Sequence, residues 1–369
     1  MKKSRLFWSG ILVGRLTAAA MLMLIFMGSS VFSFVTGKSL IADSMLDRTV
    51  QTKLDMLNSV IDRNYVEYSD DLESTSRVEG MYKGLVASLG DPYSEYFTEE
   101  EYNQELEDDS GVFGGIGVSI ATDEDTGAYY AAGFIGDDSP AQSAGMEVDD
   151  IFYEVDGLSV EDMSLTELVS HCRGEDGTVV KLVMLRGEQG EQIELDVTRA
   201  VIESVSVSGN MVDKDTGYIR ISEFVQNTPV QFEDMLDKLD DMGMKDLILD
   251  LRSNPGGDVS AVLKVADDIM GSGRIVYTKN KAGNEKDYDA TSDSRLDIPI
   301  VVLVNGYSAS AAEILTGALK DNRLAVIMGT KTYGKGIVQA IYPLNDGSAL
   351  KLTDRKYYTP SGNNIQGLG

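Results

Sequence analysis

Asp250-Leu251-Arg252-Ser253-Asn254-Pro255-Gly256-Gly257 is the stretch on which the fold reading turns. Just ahead of the turn, Asp246 to Leu251 is rich in Leu and Ile and predicts a strand. Just after it, Val259 to Met270 predicts a helix. A strand ending in Pro-Gly-Gly before a helix exposes backbone N–H groups, which can hold an anion or a developing oxyanion. A tight turn alone accounts for the same residues. The alternation continues in both directions. Tyr218 to Ile221 predicts a strand and Pro229 to Met242 a helix. Pro299 to Val304 is a near-continuous apolar run, of the kind buried on both faces. Ser310 to Lys320 then predicts a helix and Leu324 to Met328 a strand. Strand–helix alternation argues for an α/β domain over residues 200–369.

Two further clusters fall at strand ends, where α/β proteins place their sites. In Val304-Asn305-Gly306-Tyr307-Ser308-Ala309-Ser310-Ala311-Ala312-Glu313-Ile314 a buried strand runs through small residues into a helix. A serine at that junction is well placed as a nucleophile; helix capping by Ser308 or Ser310 is the plainer alternative. In Gly334-Lys335-Gly336-Ile337-Val338-Gln339 a lysine stands between glycines beside an apolar run. The phosphate-loop pattern G-x-x-x-x-G-K-[ST] is absent.

Residues 111–199 have a different texture, with short apolar runs separated by Gly and Asp. Gly115-Ile116-Gly117-Val118 is a glycine loop running into a strand. Tyr129 to Ile135 is a second strand. Ser139-Pro140-Ala141 starts a short helix with Ser as cap and Pro at the first position. Ile151 to Val155 leads into the turn Asp156-Gly157, Ser164 to Cys172 predicts a helix, and Val179 to Leu185 with Ile193 to Val197 forms a strand pair. This small α+β segment resembles a PDZ domain. The resemblance implies capture of a peptide C-terminus by strand addition, with the N–H groups of Gly115, Ile116, Gly117 and Val118 around its carboxylate. Asp149 stands where that family usually has Gly, and Asp tolerates a left-handed backbone better than most residues.

Residues 41–110 read as a helical, acidic arm. Val50, Leu54, Leu57, Val60 and Ile61 recur at helical spacing, as do Val78, Met81, Leu85 and Leu89. The segment is expected to be a helical arm or a dimerisation element without chemistry, through which a homodimer could form. Ahead of it, residues 16–37 carry no charge, and the basic residues Lys2, Lys3, Arg5 and Arg15 precede them. At ~1.5 Å per residue that run spans roughly 33 Å, enough for a bilayer. Residues 1–40 are therefore expected to be a cytoplasmic stub and a single transmembrane anchor, with the rest of the chain outside. A cleaved signal peptide is the alternative, with a usual apolar region of about 7–15 residues.

The chain has 369 residues, with 32 Lys and Arg against 60 Asp and Glu, a net charge of −28. Such a surface repels phosphate backbones, which argues against nucleic acid as a partner. His171 and Cys172 are the only histidine and cysteine. A multi-histidine metal site and an internal disulfide are thereby excluded, and a serine nucleophile in the core needs a base other than histidine. Lysine can serve when burial lowers its pKa from ~10.4 toward neutrality. A glutamine beside it can hydrogen-bond the neutral amine without adding a charge that would reprotonate it.

Taken in order, Asn-Pro-Gly-Gly, Ser-Ala-Ser-Ala and Tyr-Gly-Lys-Gly-x-Val-Gln resemble the carboxyl-terminal processing peptidases, or tail-specific proteases, from residue 44 to the end. The resemblance implies a Clp/crotonase-like α/β peptidase core with an inserted PDZ domain. It implies Ser310 as nucleophile, Lys335 as general base and Gln339 as its orienting partner. Backbone N–H groups of Ala311 and of Gly256 or Gly257 would form the oxyanion hole. It further implies cleavage of extracytoplasmic proteins near apolar C-terminal tails, gating by the PDZ domain, and no metal or cofactor. A catalytically silent PDZ scaffold is the alternative, and an acyl-CoA enzyme of the crotonase type is a third class.

Overall fold

The computed structural model of the protein describes residues 48–66, 74–136, 138–187, 189–291 and 296–369. The expected anchor at 16–37 lies outside the described residues. Among those described, no helix is long and apolar enough to cross a membrane. The chain divides into two units, residues 1–77 and residues 78–369. In the first, α1 (Arg48–Asn64) carries its apolar residues at helical spacing, and Arg77 pairs with Asp62 at 2.8 Å.

The elements that follow are α2 (Ser74–Ala87), β1 (Glu95–Phe97), α3 (Glu99–Ser110), β2 (Val112–Gly115), β3 (Val118–Thr122) and β4 (Tyr129–Phe134). Next come α4 (Pro140–Ser143), β5 (Ile151–Val155), β6 (Leu158–Ser159), α5 (Leu165–Cys172), β7 (Val179–Arg186), β8 (Glu191–Thr198) and β9 (Ala200–Glu203). The chain continues with β10 (Val207–Met211), β11 (Thr216–Ile221), α6 (Thr228–Asp241), β12 (Asp246–Asp250), α7 (Val259–Met270), β13 (Gly273–Asn280) and β14 (Glu285–Ala290). It ends with β15 (Ile300–Val304), α8 (Ala311–Asp321), β16 (Ala325–Gly329), β17 (Ile337–Pro343) and β18 (Ala349–Tyr358).

Among the described residues the core has two sheets. One runs β10-β11-β12-β15-β16, parallel from β11 onward. The other runs β1-β18-β13-β14, with β17 paired to β18. A single apolar cluster joins them. It takes Leu247 and Leu249 from β12, Val262, Val265 and Ile269 from α7, Leu315 and Leu319 from α8, and Ile275 and Val276 from β13. Full burial of each such side chain contributes roughly 1.5–3 kcal/mol. Helix α7 buries one stripe, Ala261, Val262, Val265, Ala266, Ile269 and Met270, whereas α8 buries Ala311 through Thr316 without interruption.

The small domain holds the sheet β3-β4-β5-β7-β8 with β6 on β5, and its own cluster includes Ile116, Phe152, Leu168, Leu182 and Val197. Ser139 caps α4 with Pro140 at the first position, and Ser164 caps α5 in a capping box with Glu167. Asp149 adopts φ 71, the left-handed backbone expected of it. The arm departs from expectation. Its residues 91–97 form a turn and the strand β1, which pairs with β18. Ser94, Tyr96 and Phe97 are buried there, and the long-range pairing of β1 with β18 overrides the helical pattern before and after it.

Candidate active site

The turn after β12 is fixed by side chains. Asn254 is fully buried; its Nδ2 donates to Ile221 O at 3.0 Å and its Oδ1 accepts the Gly256 N–H at 2.8 Å. Its carbonyl accepts the Ala309 N–H at 2.9 Å, which ties this turn to the one after β15. A Cβ on Gly256 would stand 2.7 Å from Ser310 Cβ, and one on Gly257 would stand 2.1 Å from Phe224 O. Both glycines are therefore required by close approach as well as by φ values of 108° and 123°.

The two serines after β15 have separate tasks. Ser308 is buried, and its Oγ donates to Leu251 O at 2.7 Å and accepts the Asn305 N–H at 3.0 Å. It bonds the ends of β12 and β15 together. Ser310 sits at φ 53, ψ −113, a strained backbone for a residue with a Cβ, immediately before α8. Strain at a strand-to-helix junction aims a side chain out of the turn, as a nucleophile requires.

Glu313, one turn into α8, is 4% exposed. Its Oε2 accepts the N–H groups of Ser310 and Lys335, both at 2.9 Å, and its Oε1 accepts that of Gly334 at 2.8 Å. One carboxylate thus holds the serine turn and the lysine turn together. Sequence reasoning missed this residue. The available signal was the Ser-x-x-Glu spacing of a capping box at 310–313, together with an acid inside an apolar helix. The glycines beside Lys335 pack on residues 364–369. A Cβ on Gly336 would lie 2.5 Å from Gln366 N, and the Gly336 N–H donates to Gln366 Oε1 at 2.7 Å.

Ser310, Lys335, Gln339 and Gly257 line one cavity of about 470 Å³. The N–H groups of Gly257 and Ala311 have no protein acceptor among the described residues, whereas that of Gly256 is taken by Asn254. No hydrogen bond among the described residues joins Lys335 Nζ to Ser310 Oγ. The ammonium lies instead 4.7 Å from the centre of the Tyr93 ring. Burial pushes the Lys335 amine below its ordinary value and Lys351 adds to the effect, while Asp91 opposes it. Gln339 Nε2 donates to Thr353 Oγ1 at 3.0 Å, and no hydrogen bond among the described residues joins Gln339 to the lysine amine.

The arm, expected to carry no chemistry, lines the same cavity through Glu105 and Asp109 of α3, and Glu105 is ion-paired with Lys351. Asp109 is pushed up to about 6 by burial, reinforced by the charge of Glu105. Helix α3 has its capping box at Thr98 and Glu101, and a left-handed Gly111 ends it. Those two ends aim its last turn at the cavity.

In the small domain, Gly115, Ile116, Gly117 and Val118 line a groove of about 190 Å³ with Phe113, Val169 and Cys172. A Cβ on Gly117 would meet Pro140 Cδ at 3.0 Å and Ser139 Oγ at 3.1 Å. The N–H groups of Ile116 and Gly117 have no protein acceptor among the described residues, and β3, at the edge of its sheet, is unpaired on its outer side. His171 does not line the groove; its carbonyl accepts from Arg199 at 2.7 Å. Burial pushes the Cys172 thiol up to about 12, so it is inert as a nucleophile. No group of His, Cys, Asp and Glu among the described residues is arranged to hold a metal ion.

Comparison with known proteins places the chain in a peptidase family. Residues 215–369 match peptidase family S41. The chain is 33% identical over 329 residues to the carboxy-terminal-processing protease of Bartonella bacilliformis, covering 88% of this chain and 75% of that one. It is 34% identical over 342 residues to the carboxy-terminal processing protease CtpA of Bacillus subtilis, covering 92% and 72%. The solved photosystem II D1 C-terminal processing protease matches with TM-score 0.50 and 28% identity over 83% of each chain, which supports the mixed α/β peptidase fold.

Proposed function

Because this chain belongs to the carboxy-terminal processing proteases of peptidase family S41, a family of serine hydrolases, we propose that Ser310 is its nucleophile and Lys335 its general base. The observation that carries this reading is the shared cavity. It contains Ser310 and Lys335 beside Gly257, whose free N–H, with that of Ala311, forms a pair of donors next to the serine. Ser310 Oγ attacks the scissile carbonyl carbon as neutral Lys335 takes its proton. The carbonyl oxygen gathers negative charge against the Gly257 and Ala311 N–H groups. Lys335 then gives the proton to the departing amine, and water hydrolyses the acyl-enzyme by the same route in reverse. Gln339 Oε1, unclaimed by a protein donor, is the acceptor we assign to the Lys335 amine. Gly256 acts by its shape, since its N–H already serves Asn254.

The core is read as Clp/crotonase-like, and the small domain as a PDZ domain that engages the substrate tail. Support for the second point comes from the open edge of β3, the free N–H groups at 116–117 and the apolar groove beside α5. Such a groove favours an apolar C-terminal residue. The uncharged run at 16–37 supports a single-pass anchor with the catalytic part outside the cytoplasm, and the apolar spacing of α1 supports an arm that pairs with a second copy.

The test uses the purified full chain in detergent with Ser310→Ala and Lys335→Ala forms, an unfolded protein ending in an apolar tail, and mass spectrometry of the fragments. Cleavage by the parent, with a loss of at least ~10³-fold in each variant, is expected. Equal cleavage by Ser310→Ala would overturn the assignment. A folded parent that binds the tail and cleaves nothing would point to the scaffold reading.

A further inference from the structure

The turn at 91–94 belongs to the arm, yet it reaches under the lysine. Asp91 Oδ2 accepts from Ser94 Oγ at 2.6 Å and Asp91 Oδ1 accepts the Tyr93 N–H at 3.2 Å. Ser94 Oγ accepts the Thr353 N–H at 3.1 Å, and Thr353 Oγ1 accepts from Gln339 at 3.0 Å. The turn is therefore anchored to the strand that also holds Gln339. Tyr93 projects from it with its ring centre 4.7 Å from Lys335 Nζ, inside the range of a cation–π contact.

We propose that Tyr93 is a positioning residue for Lys335: its ring holds the lysine ammonium in the form described here and yields it when the amine turns to Ser310. The proposal rests on the Ser310/Lys335 reading above. An aromatic face attracts the ammonium and not the neutral amine, so the contact favours the protonated, idle form of the base. The other charged groups facing Lys335 act in both directions. Lys351 on β18 disfavours the ammonium, and Glu105 of α3 partly neutralises Lys351 through their ion pair. Asp91 favours the ammonium, and Glu313 of α8 holds the Lys335 backbone N–H. A hydrogen bond with Tyr333, together with burial, pushes the Tyr93 phenol up, so the ring stays neutral across the working range.

The test replaces Tyr93 in the full chain by Phe, by Leu and by a series of fluorinated phenylalanines, which keep the shape and weaken the face. The titration midpoint of Lys335 is read by acetic anhydride labelling and peptide mass spectrometry, which needs no turnover. The acid limb of kcat/KM is read beside it. Tyr93→Phe should keep the midpoint within about 0.3 pH unit. Tyr93→Leu should move it about one unit to lower pH, and the fluorinated forms should fall between in order of fluorine count. Unchanged midpoints in the Leu and fluorinated forms, or a shift to higher pH, would overturn the proposal. A purely structural role would lower kcat or Tm and leave the midpoint in place. Parent-level activity in Lys335→Ala would instead remove the dyad reading, while the labelling midpoint still reports the ring contact.

Discussion

The turn at 255–257 in the core and the turn at 115–118 in the small domain share one backbone device. In each, glycine permits close packing, and two N–H groups beside it lack a protein acceptor among the described residues. Their surroundings differ. The core turn is clamped by Asn254 from one side and by the serine turn from the other, at contact distances that admit no Cβ. The small-domain turn is held by Ser139 Oγ donating to Gly117 O at 2.7 Å and by Ala141 N–H donating to Ile116 O at 2.8 Å, and one side opens on an apolar groove. A transient oxyanion gains only from donors already in place. A tail bound as proposed would be an equilibrium ligand, with affinity from the groove and the strand edge as well as from the donors.

The comparison can be broken at three points. The largest effect is expected from Gly256→Ala, whose new Cβ must displace Ser310. Peptidase activity should fall about 10³-fold or more while tail-peptide binding by calorimetry stays within twofold. Retention of a tenth of the activity would show that the clamp is looser than its contacts imply. Gly117→Ala comes next. With φ at +68 and a neighbour at 3.0 Å, it should weaken tail binding about tenfold and leave kcat on a short peptide within twofold. A fall in kcat instead would mean that the two turns are not separable. The smallest effect is on stability. Asp109 has a folded pKa of about 6 against an ordinary 3.8, so folding binds its proton more tightly. Its contribution is full below about pH 4 and is lost as pH rises through 6. After screening, Asp109→Asn should gain about 1 kcal/mol at pH 7.5 and nothing at pH 4, read as a small rise in Tm at the higher pH only.

Much of the core could be read from local pattern. The helix Val259–Met270 and the strands β11, β12, β15 and β16 fall within two residues of their expected limits, because apolar runs and Gly or Pro breaks mark both ends. The second sheet was not legible. β14 is Glu285–Ala290, mostly charged, and β13 and β17 have register shifts that disrupt alternation. The turns that carry Ser310 and Lys335 announce themselves by small residues. Glu313 shows locally only as the capping-box partner of Ser310; its bonds to Gly334 and Lys335, like the contact of Tyr93 with Lys335, span 20 residues or more of chain and leave little local trace. The lysine's resting place against Tyr93, without a hydrogen bond to Gln339, depends on side-chain torsions that no motif encodes.

Glu313 bonds the Ser310 turn and the Lys335 turn through three N–H groups. With both main chains tied to one carboxylate, the distance between the two loops is set before any substrate arrives. What remains free to choose is the rotamer of one lysine. Exposed side chains rotate in picoseconds to nanoseconds, and the rotation of a half-buried lysine needs no loop or domain motion. On the Ser310/Lys335 reading proposed above, the site would have the kinetics of a side-chain equilibrium rather than of an assembly step. A bias of about 1.4 kcal/mol shifts the ratio of idle to poised lysine tenfold.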